Sequence, residues 1–231
     1  MKKKVVVLSL GGSMIIPKEI NIKFLQEFKK VLLRNTKKFK FVVVCGGGST
    51  ARKYISGLEK QDLSKKAFFQ GLLGIATTRL NARFMTYFFN EDANKGIPHD
   101  MKEVKNLLAK YDVVFCGALR YAKNETSDGT SAKLARFFKT EFINITNIKG
   151  LYDKNPLTNR NAKFIPKITW ENFYKMATKK KFKPGQHFVL DQSAAKIIKK
   201  YKIPTYIVGQ EAKQIENIIL GKEFVGSKIE N

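Results

Sequence analysis

The sequence predicts an α/β protein built round a mainly parallel sheet. Three observations carry that reading. Short apolar runs without alternation, Lys4–Leu10 and Phe41–Cys45, fit strands buried on both faces. Between them, Ile20–Arg34 places Phe24, Leu25, Phe28, Val31 and Leu32 at helical spacing, long enough for a crossover between parallel strands. Both strands run into glycine turns, Gly11-Gly12-Ser13 and Gly46-Gly47-Gly48, at the end of the sheet where such proteins hold ligands.

The remaining elements follow in chain order. The first strand is interrupted only by Ser9, and Pro17 closes the loop after its glycine turn. Thr50–Asp62 reads as a helix with Ala51, Tyr54, Ile55 and Leu58 inward, and Lys65–Phe89 as a longer one weakened by Gly71 and Gly74. The aromatic stretch Phe84–Phe89 suits core or a subunit contact. Gly96-Ile-Pro98 breaks the chain, and Asp100 caps a short helix to Lys110. Asp112–Cys116 is a strand, residues 118–129 a polar loop, Thr130–Phe138 a helix for which Asp128 is a candidate cap, and Glu141–Thr146 a strand. Residues 157–167 are polar. Thr169 caps a helix over Trp170–Ala177, Thr178–His187 is a basic loop, and Asp191 caps a helix to Lys200. Ile203–Val208 is a strand, Glu211–Leu220 a helix and Phe224–Ile229 an edge strand. No solenoid repeat and no linker divides the chain.

Composition narrows the function classes. The 231 residues suffice for one sizeable domain, and 43% hydrophobic content with 18 Phe fits a packed core. Lys+Arg number 44 against 19 Asp+Glu, a net charge of +25 that favours anionic partners. The lysines are scattered, as on a solvated surface, not gathered into a nucleic-acid-binding arm. Cys45 and Cys116 form no Cys-x-x-Cys and stand in no Cys/His cluster, so neither a zinc site nor a disulfide framework is indicated, which fits a reducing cytoplasm. No apolar run approaches the ~20 residues of a membrane span. Lys2–Leu8 imitates a signal peptide but is too short and leads into glycine and proline. A cytoplasmic protein is expected.

Strand, glycine turn and helix start together make an anion site. Glycines let the backbone approach a phosphate, and a helix N-terminus aims free N–H groups at it. Two such turns suit a ligand, or a pair of ligands, with several phosphates. Arg52 in the following helix offers a planar fork of charge-assisted hydrogen bonds. His99 and His187 have no partner at a catalytic spacing.

Six motifs in order resemble the amino acid kinase superfamily, and within it the archaeal-type uridylate (UMP) kinases. They are Leu10-Gly-Gly-Ser13, Val43–Ile55, Gly74–Ala82, Thr126-Ser-Asp128, Thr146–Tyr152 and Val189–Ile198, which together span nearly the whole chain. The resemblance implies a three-layer α/β/α sandwich without a Walker P-loop, and no Gly-x4-Gly-Lys-[Ser/Thr] is present. It implies one domain, with residues 1–145 as acceptor lobe and 146–231 as ATP lobe. It implies transfer of the ATP γ-phosphoryl group to UMP with Mg²⁺, in a homohexamer built from dimers.

Carried over residue by residue, the resemblance makes Asp128 and Arg52 catalytic. Gly46, Gly47, Thr78 and Thr126 fall on the acceptor side. Gly11, Gly12, Ser13, Gly48, Arg52, Thr146, Asn147, Tyr152 and Asn155 fall on the ATP side, and no side chain is assigned to the metal. The chain departs from the family pattern at five places. Ser9 stands where many members carry lysine, and Gly71 where an aspartate grips the acceptor. Residues 122–128 replace the usual acceptor loop, Lys149 an aspartate, and Asn155 another. Two other readings stay open on these residues: a kinase of the same fold with a different acceptor, and a nucleotide- or polyanion-binding homologue without turnover.

Overall fold

The structure is a computed structural model and describes residues 3–121, 126–179 and 190–231. The sequence readings for residues 122–125 and for most of the basic loop, 180–189, lie outside the described residues.

β1 (Lys4–Leu10) is the centre of the sheet. The chain passes through α1 (Gly12–Ile15) and α2 (Ile22–Asn35) to β2 (Phe39–Cys45), then through α3 (Gly48–Glu59), α4 (Lys66–Phe89) and α5 (Met101–Lys110) to β3 (Val113–Cys116). It then crosses back. α6 (Ser127–Phe138) leads to β4 (Phe142–Ile145), which pairs with the other side of β1. The hairpin β5 (Leu151–Tyr152) and β6 (Phe164–Ile165), then β7 (Lys167–Ile168), α7 (Trp170–Thr178), α8 (Gln192–Tyr201), β8 (Thr205–Val208), α9 (Ala212–Ile219) and β9 (Ser227–Ile229) complete the order. The main sheet runs β3-β2-β1-β4-β8-β9-β7. Its first five strands are parallel, and β9 runs antiparallel to β8. The strand order reverses between β1 and β4, and ligand crevices of open sheets lie outside such a reversal.

Burial on both faces explains the unalternated strands. Val6, Leu8 and Leu10 of β1 pack with α2, α4 and α9, while Val7 packs with α5, α6, α7 and α8 on the other face. This is the three-layer α/β/α sandwich. The helices start where side chains supply caps: Asn21, Asp100, Thr126, Thr169 and Asp191 each accept a first-turn N–H. At the β3 edge the Asn94 side chain substitutes for a neighbouring strand, accepting from the Phe115 N–H at 2.7 Å and donating to its carbonyl at 3.1 Å.

Several boundaries differ from the sequence reading. α3 begins at Gly48 because the third glycine, at φ +66°, already turns the chain into the helix. α4 runs unbroken through Gly71 and Gly74, since packing against α3 and β3 outweighs their low propensity. α6 starts at Ser127 with Thr126 as cap, so Asp128 is a first-turn residue and not the cap. β9 is an inner strand, and the outer place is taken by β7, drawn from the stretch read as polar. Phe89 lies in the core, while Tyr87 of the same aromatic stretch is 71% exposed.

Candidate active site

The floor of the site is backbone packed on backbone. The Gly46 N–H donates to the Leu10 carbonyl at 2.9 Å, and the Gly11 N–H to the Ile145 carbonyl at 3.0 Å. The ends of β1, β2 and β4 are thereby tied together. A Cβ on Gly12 would lie 1.9 Å from the Gly48 nitrogen, and one on Gly46 would lie 2.5 Å from the Gly12 nitrogen. One on Gly48 would meet the Gly12 oxygen at 2.6 Å, besides being strained at its positive φ. The two glycine turns, remote in sequence, are one surface. α3 leaves it with Gly47 as its N-cap and no side chain capping its first N–H groups, which suits an incoming anion. Ser13 stands half-buried in α1 beside it.

α4 supports the floor from beneath. The Asn81 amide, buried, donates to the Gly46 carbonyl at 2.7 Å. Thr78 is also buried; its hydroxyl donates to the Ile75 carbonyl and accepts from the Ala118 N–H at 2.9 Å. Thr78 therefore turns a methyl toward Gly47 and holds the loop after β3 against the helix. Arg79 reinforces that hold by donating to the Ala118 and Leu119 carbonyls. Only glycine fits at 117, because a Cβ there would lie 2.7 Å from the Arg79 backbone nitrogen.

The acid stands over this floor. Asp128, half-buried, accepts a hydrogen bond from the Ser9 hydroxyl at 2.9 Å. Ser9 is fully buried near the end of β1, two residues before Gly11. Thr126 caps α6 and also donates to the Asp191 carboxylate, which itself caps α8 through the Ala194 N–H at 2.9 Å. Desolvation, and after it the charge of Asp191, raises the Asp128 pKa well above the ordinary carboxylate range, while the Ser9 hydrogen bond works the other way. Arg52 is exposed one turn into α3, with no hydrogen bond or ion pair among the described residues, so its fork is available to a ligand.

The residues expected on the ATP side are more spread. The Thr146 N–H bonds the Val208 carbonyl at 2.9 Å, placing the following loop beside the end of β8. A hollow of about 200 Å³ opens there, lined among others by Asn147, Lys149, Gly209, Gln210 and Gln214. Tyr152 stands edge-on to Phe164 at 5.4 Å in its hairpin, and the Asn155 side chain accepts from the Leu157 N–H at 3.0 Å within its own turn. Those two contacts are local. On the opposite wall, the Tyr121 ring fills the space beside Gly71: a Cβ there would lie 2.7 Å from its Cε2. The ring is held edge-on by Phe68 at 4.9 Å.

The structure thus brings together Gly11, Gly12, Gly46–Gly48, Thr126 and Asp128, with Thr78 beneath and Arg52 at the rim. Sequence reasoning missed Ser9 as the residue that holds Asp128, Asn81 as the strut under Gly46, and Asp191 as the second carboxylate. Ser9 left a signal, being the one polar residue in a buried strand. Cys45 and Cys116 take no part; burial raises both thiol pKa values, that of Cys116 to about 12, and keeps them protonated.

Comparison with known proteins agrees with this architecture. The model of the Amino acid kinase family matches residues 4–209. The chain is similar to a uridylate kinase of Archaeoglobus fulgidus, 34% identical over 97% of this chain and 99% of that one. A uridylate kinase of Thermococcus kodakarensis is 31% identical over 94% of this chain and 96% of its own. Among solved structures, the uridylate kinase from Archaeoglobus fulgidus superposes with a TM-score of 0.82 at 33% identity, covering 98% of this chain and 99% of that one. The UMP kinase from Ureaplasma parvum, at 18% identity and a TM-score of 0.79 over the whole of both chains, shares the fold.

Proposed function

The chain belongs to the amino acid kinase family, and on that premise we propose that it is a uridylate kinase, transferring the γ-phosphoryl group of ATP to UMP to give UDP. The observation that carries this reading is the placement of Asp128, held by Ser9, over a glycine floor that only backbone can form. Phosphoryl transfer between two phosphates needs positioned oxygens and compensated charge more than a nucleophilic side chain. The floor supplies N–H groups from both turns to both phosphates. In this proposal Gly46, Gly47 and Thr126 face UMP, and Thr78 supports that side from beneath. Gly11, Gly12, Ser13, Gly48, Thr146 and Asn147 face ATP, with Tyr152 and Asn155 farther out along the same loop. Arg52 spans the two and meets the charge that develops on the transferring group.

The adenine end of ATP fits the hollow beside Asn147 and Gly209, where Lys149 adds a positive charge. The lobe boundary near residue 145 follows from this division. The carboxylates of Asp128 and Asp191, hard oxygen donors, would suit Mg²⁺ carried in on the nucleotide. Mg²⁺ in such a place neutralises charge on the phosphate oxygens. The apolar outer face of α4, with Leu80 61% and Tyr87 71% exposed, is the contact we assign to the dimers of a homohexamer. A cytoplasmic location accords with ATP as donor, and no described helix is long and apolar enough to cross a membrane.

Release of ADP in a coupled assay over a panel of nucleoside monophosphates tests the activity. UMP should be turned over faster than CMP, AMP or GMP. Turnover with a different acceptor, or nucleotide binding without turnover, overturns the reading.

A further inference from the structure

The charge of +25 has no outlet in the site just described, where Arg52 and Lys149 are the exposed cations. One other place concentrates it. The outward faces of α6 and α8 enclose a groove of about 530 Å³, within the range of small-ligand sites. Lys133, Arg136, Lys196 and Lys200 line it together with the rings of Phe137 and Tyr201, and no carboxylate is among the lining residues. Arg136, Lys196 and Lys200 have no ion pair among the described residues, whereas the intervening Lys199 is paired with Glu171 at 2.7 Å. The Arg136 guanidinium lies over the Tyr201 ring, 3.7 Å from its centroid, and the Lys200 ammonium is 5.4 Å from the same ring. Phe137 leaves 44% of its surface open. Part of this charge has a local use, since Arg136 and Lys200 sit in last helical turns, where cations oppose the helix dipole. Lys196 lies outside those turns, so the dipole does not account for it.

Arg136, Lys196 and Lys200, held in one groove, repel one another, and the arrangement is relieved by a ligand with several negative charges. The open ring beside them adds a surface for a flat group, and the ring under Arg136 pre-orients a fork that fits phosphate. We propose that this groove is a second nucleotide site, separate from the kinase centre, that takes phosphate groups on its cations and a base on Phe137. Such chemistry comes either from free nucleoside polyphosphates or from single-stranded RNA. The groove occupies the outward side of the same two helices whose N-terminal ends present Asp128 and Asp191 to the floor.

The test uses the whole protein with the kinase centre filled by one equivalent of a UMP–ATP bisubstrate analogue, so that no excess nucleotide competes for the groove. Binding of a fluorescein-labelled oligouridylate 12-mer and of a labelled ATP is then measured by anisotropy at 0.15 M salt. Arg136→Glu with Lys196→Glu should weaken whichever probe binds by about tenfold or more and flatten its salt dependence, with UMP kinase turnover unchanged. A control pair on other faces, Lys60→Glu with Lys222→Glu, carries the same change in net charge and should retain most of the binding. Binding of the 12-mer alone identifies a strand as the source, and binding of labelled ATP identifies the free nucleotide. Equal losses in both double variants, or no binding of either probe, overturn the proposal.

Discussion

The glycine floor and the wall opposite it are both made by close approach, but of different kinds. At Gly12, Gly46 and Gly48 the atoms that exclude a side chain are backbone nitrogens and oxygens of another turn. At Gly71 the excluding atom is Cε2 of Tyr121, at the end of a side chain that is 41% exposed. Backbone in a tied strand end cannot step aside, whereas an exposed ring can rotate. The floor is therefore fixed by the fold, and the wall is free to move; on the proposed reading it is where the same fold would be fitted to one acceptor or another. Four substitutions test that contrast, and they should fall in a definite order.

The largest effect belongs to Gly12→Ala. Its Cβ would stand 1.9 Å from the Gly48 nitrogen, so the two turns must part. The cost should reach about 3 kcal/mol of stability, the upper end for overpacking. Turnover should fall by about 100-fold or more, because the phosphates are displaced from one another. Urea unfolding and steady-state rates read both quantities. A stable, active Gly12→Ala protein would show that the floor yields like a side chain.

Asp128→Asn should separate function from stability. The carboxylate is held over the floor by Ser9 and raised in pKa by desolvation and by Asp191. A carboxyl with a folded pKa above its unfolded value makes stability fall as pH rises through that interval, since the folded state then holds the extra proton. The penalty is absent below the unfolded pKa and complete above the folded one. The amide, which does not ionise, should raise Tm at pH 8 by about 2–4 °C for each kcal/mol relieved and leave it unchanged near pH 3.5. Turnover should drop by about 10²–10³-fold at both neutral and higher pH. Equal Tm differences at the two pH values would remove the burial account.

Much of this molecule is legible in its amino-acid order. The unalternated strands, the crossover helix and the two glycine turns give the layers and the location of the site, because burial on both faces and close backbone approach leave direct marks on sequence. Asp128 is singled out by its motif. The contacts that tune it are not. Ser9 meets Asp128 across 119 positions, Asn81 meets Gly46 across 35, and Thr126 meets Asp191 across 65. Each is a single hydrogen bond with no periodicity, so only the folded chain reveals it. Thr78 shows the converse. Its place in a motif points to the ligand, yet its hydroxyl is engaged by Ile75 and Ala118.

Ser9→Ala should act more gently than either change above. Ser9 positions the acid and, by donating to the carboxylate, holds its pKa down against burial. Without the hydroxyl, Asp128 should ionise later. The acid limb of the pH–rate profile should move to higher pH by about 0.5–1 unit, with rates at pH 8.5 within about threefold of the parent. A purely structural serine would lower the rate evenly across pH and leave the limb in place.

Gly71→Ala should have the smallest effect, and it bears most directly on the contrast. By the distances alone it should be severe, since its Cβ would lie 2.7 Å from Tyr121. The obstacle is a ring held edge-on by one neighbour, Phe68, itself 39% exposed. Rotation of Tyr121 away from the helix relieves the overlap at the loss of part of one aromatic contact, about 1 kcal/mol or less. Alanine also favours the helix over glycine by about 0.5–1 kcal/mol, which offsets that loss. Net stability should change by less than about 0.5 kcal/mol in urea unfolding. The displaced ring should alter KM for the acceptor by a few-fold and leave KM for ATP alone, because the hollow proposed for ATP lies at the ends of β4 and β8. If Gly71→Ala instead destabilised the chain as much as Gly12→Ala, Tyr121 would belong to the fixed floor, and the wall would have no more freedom than the turns it faces.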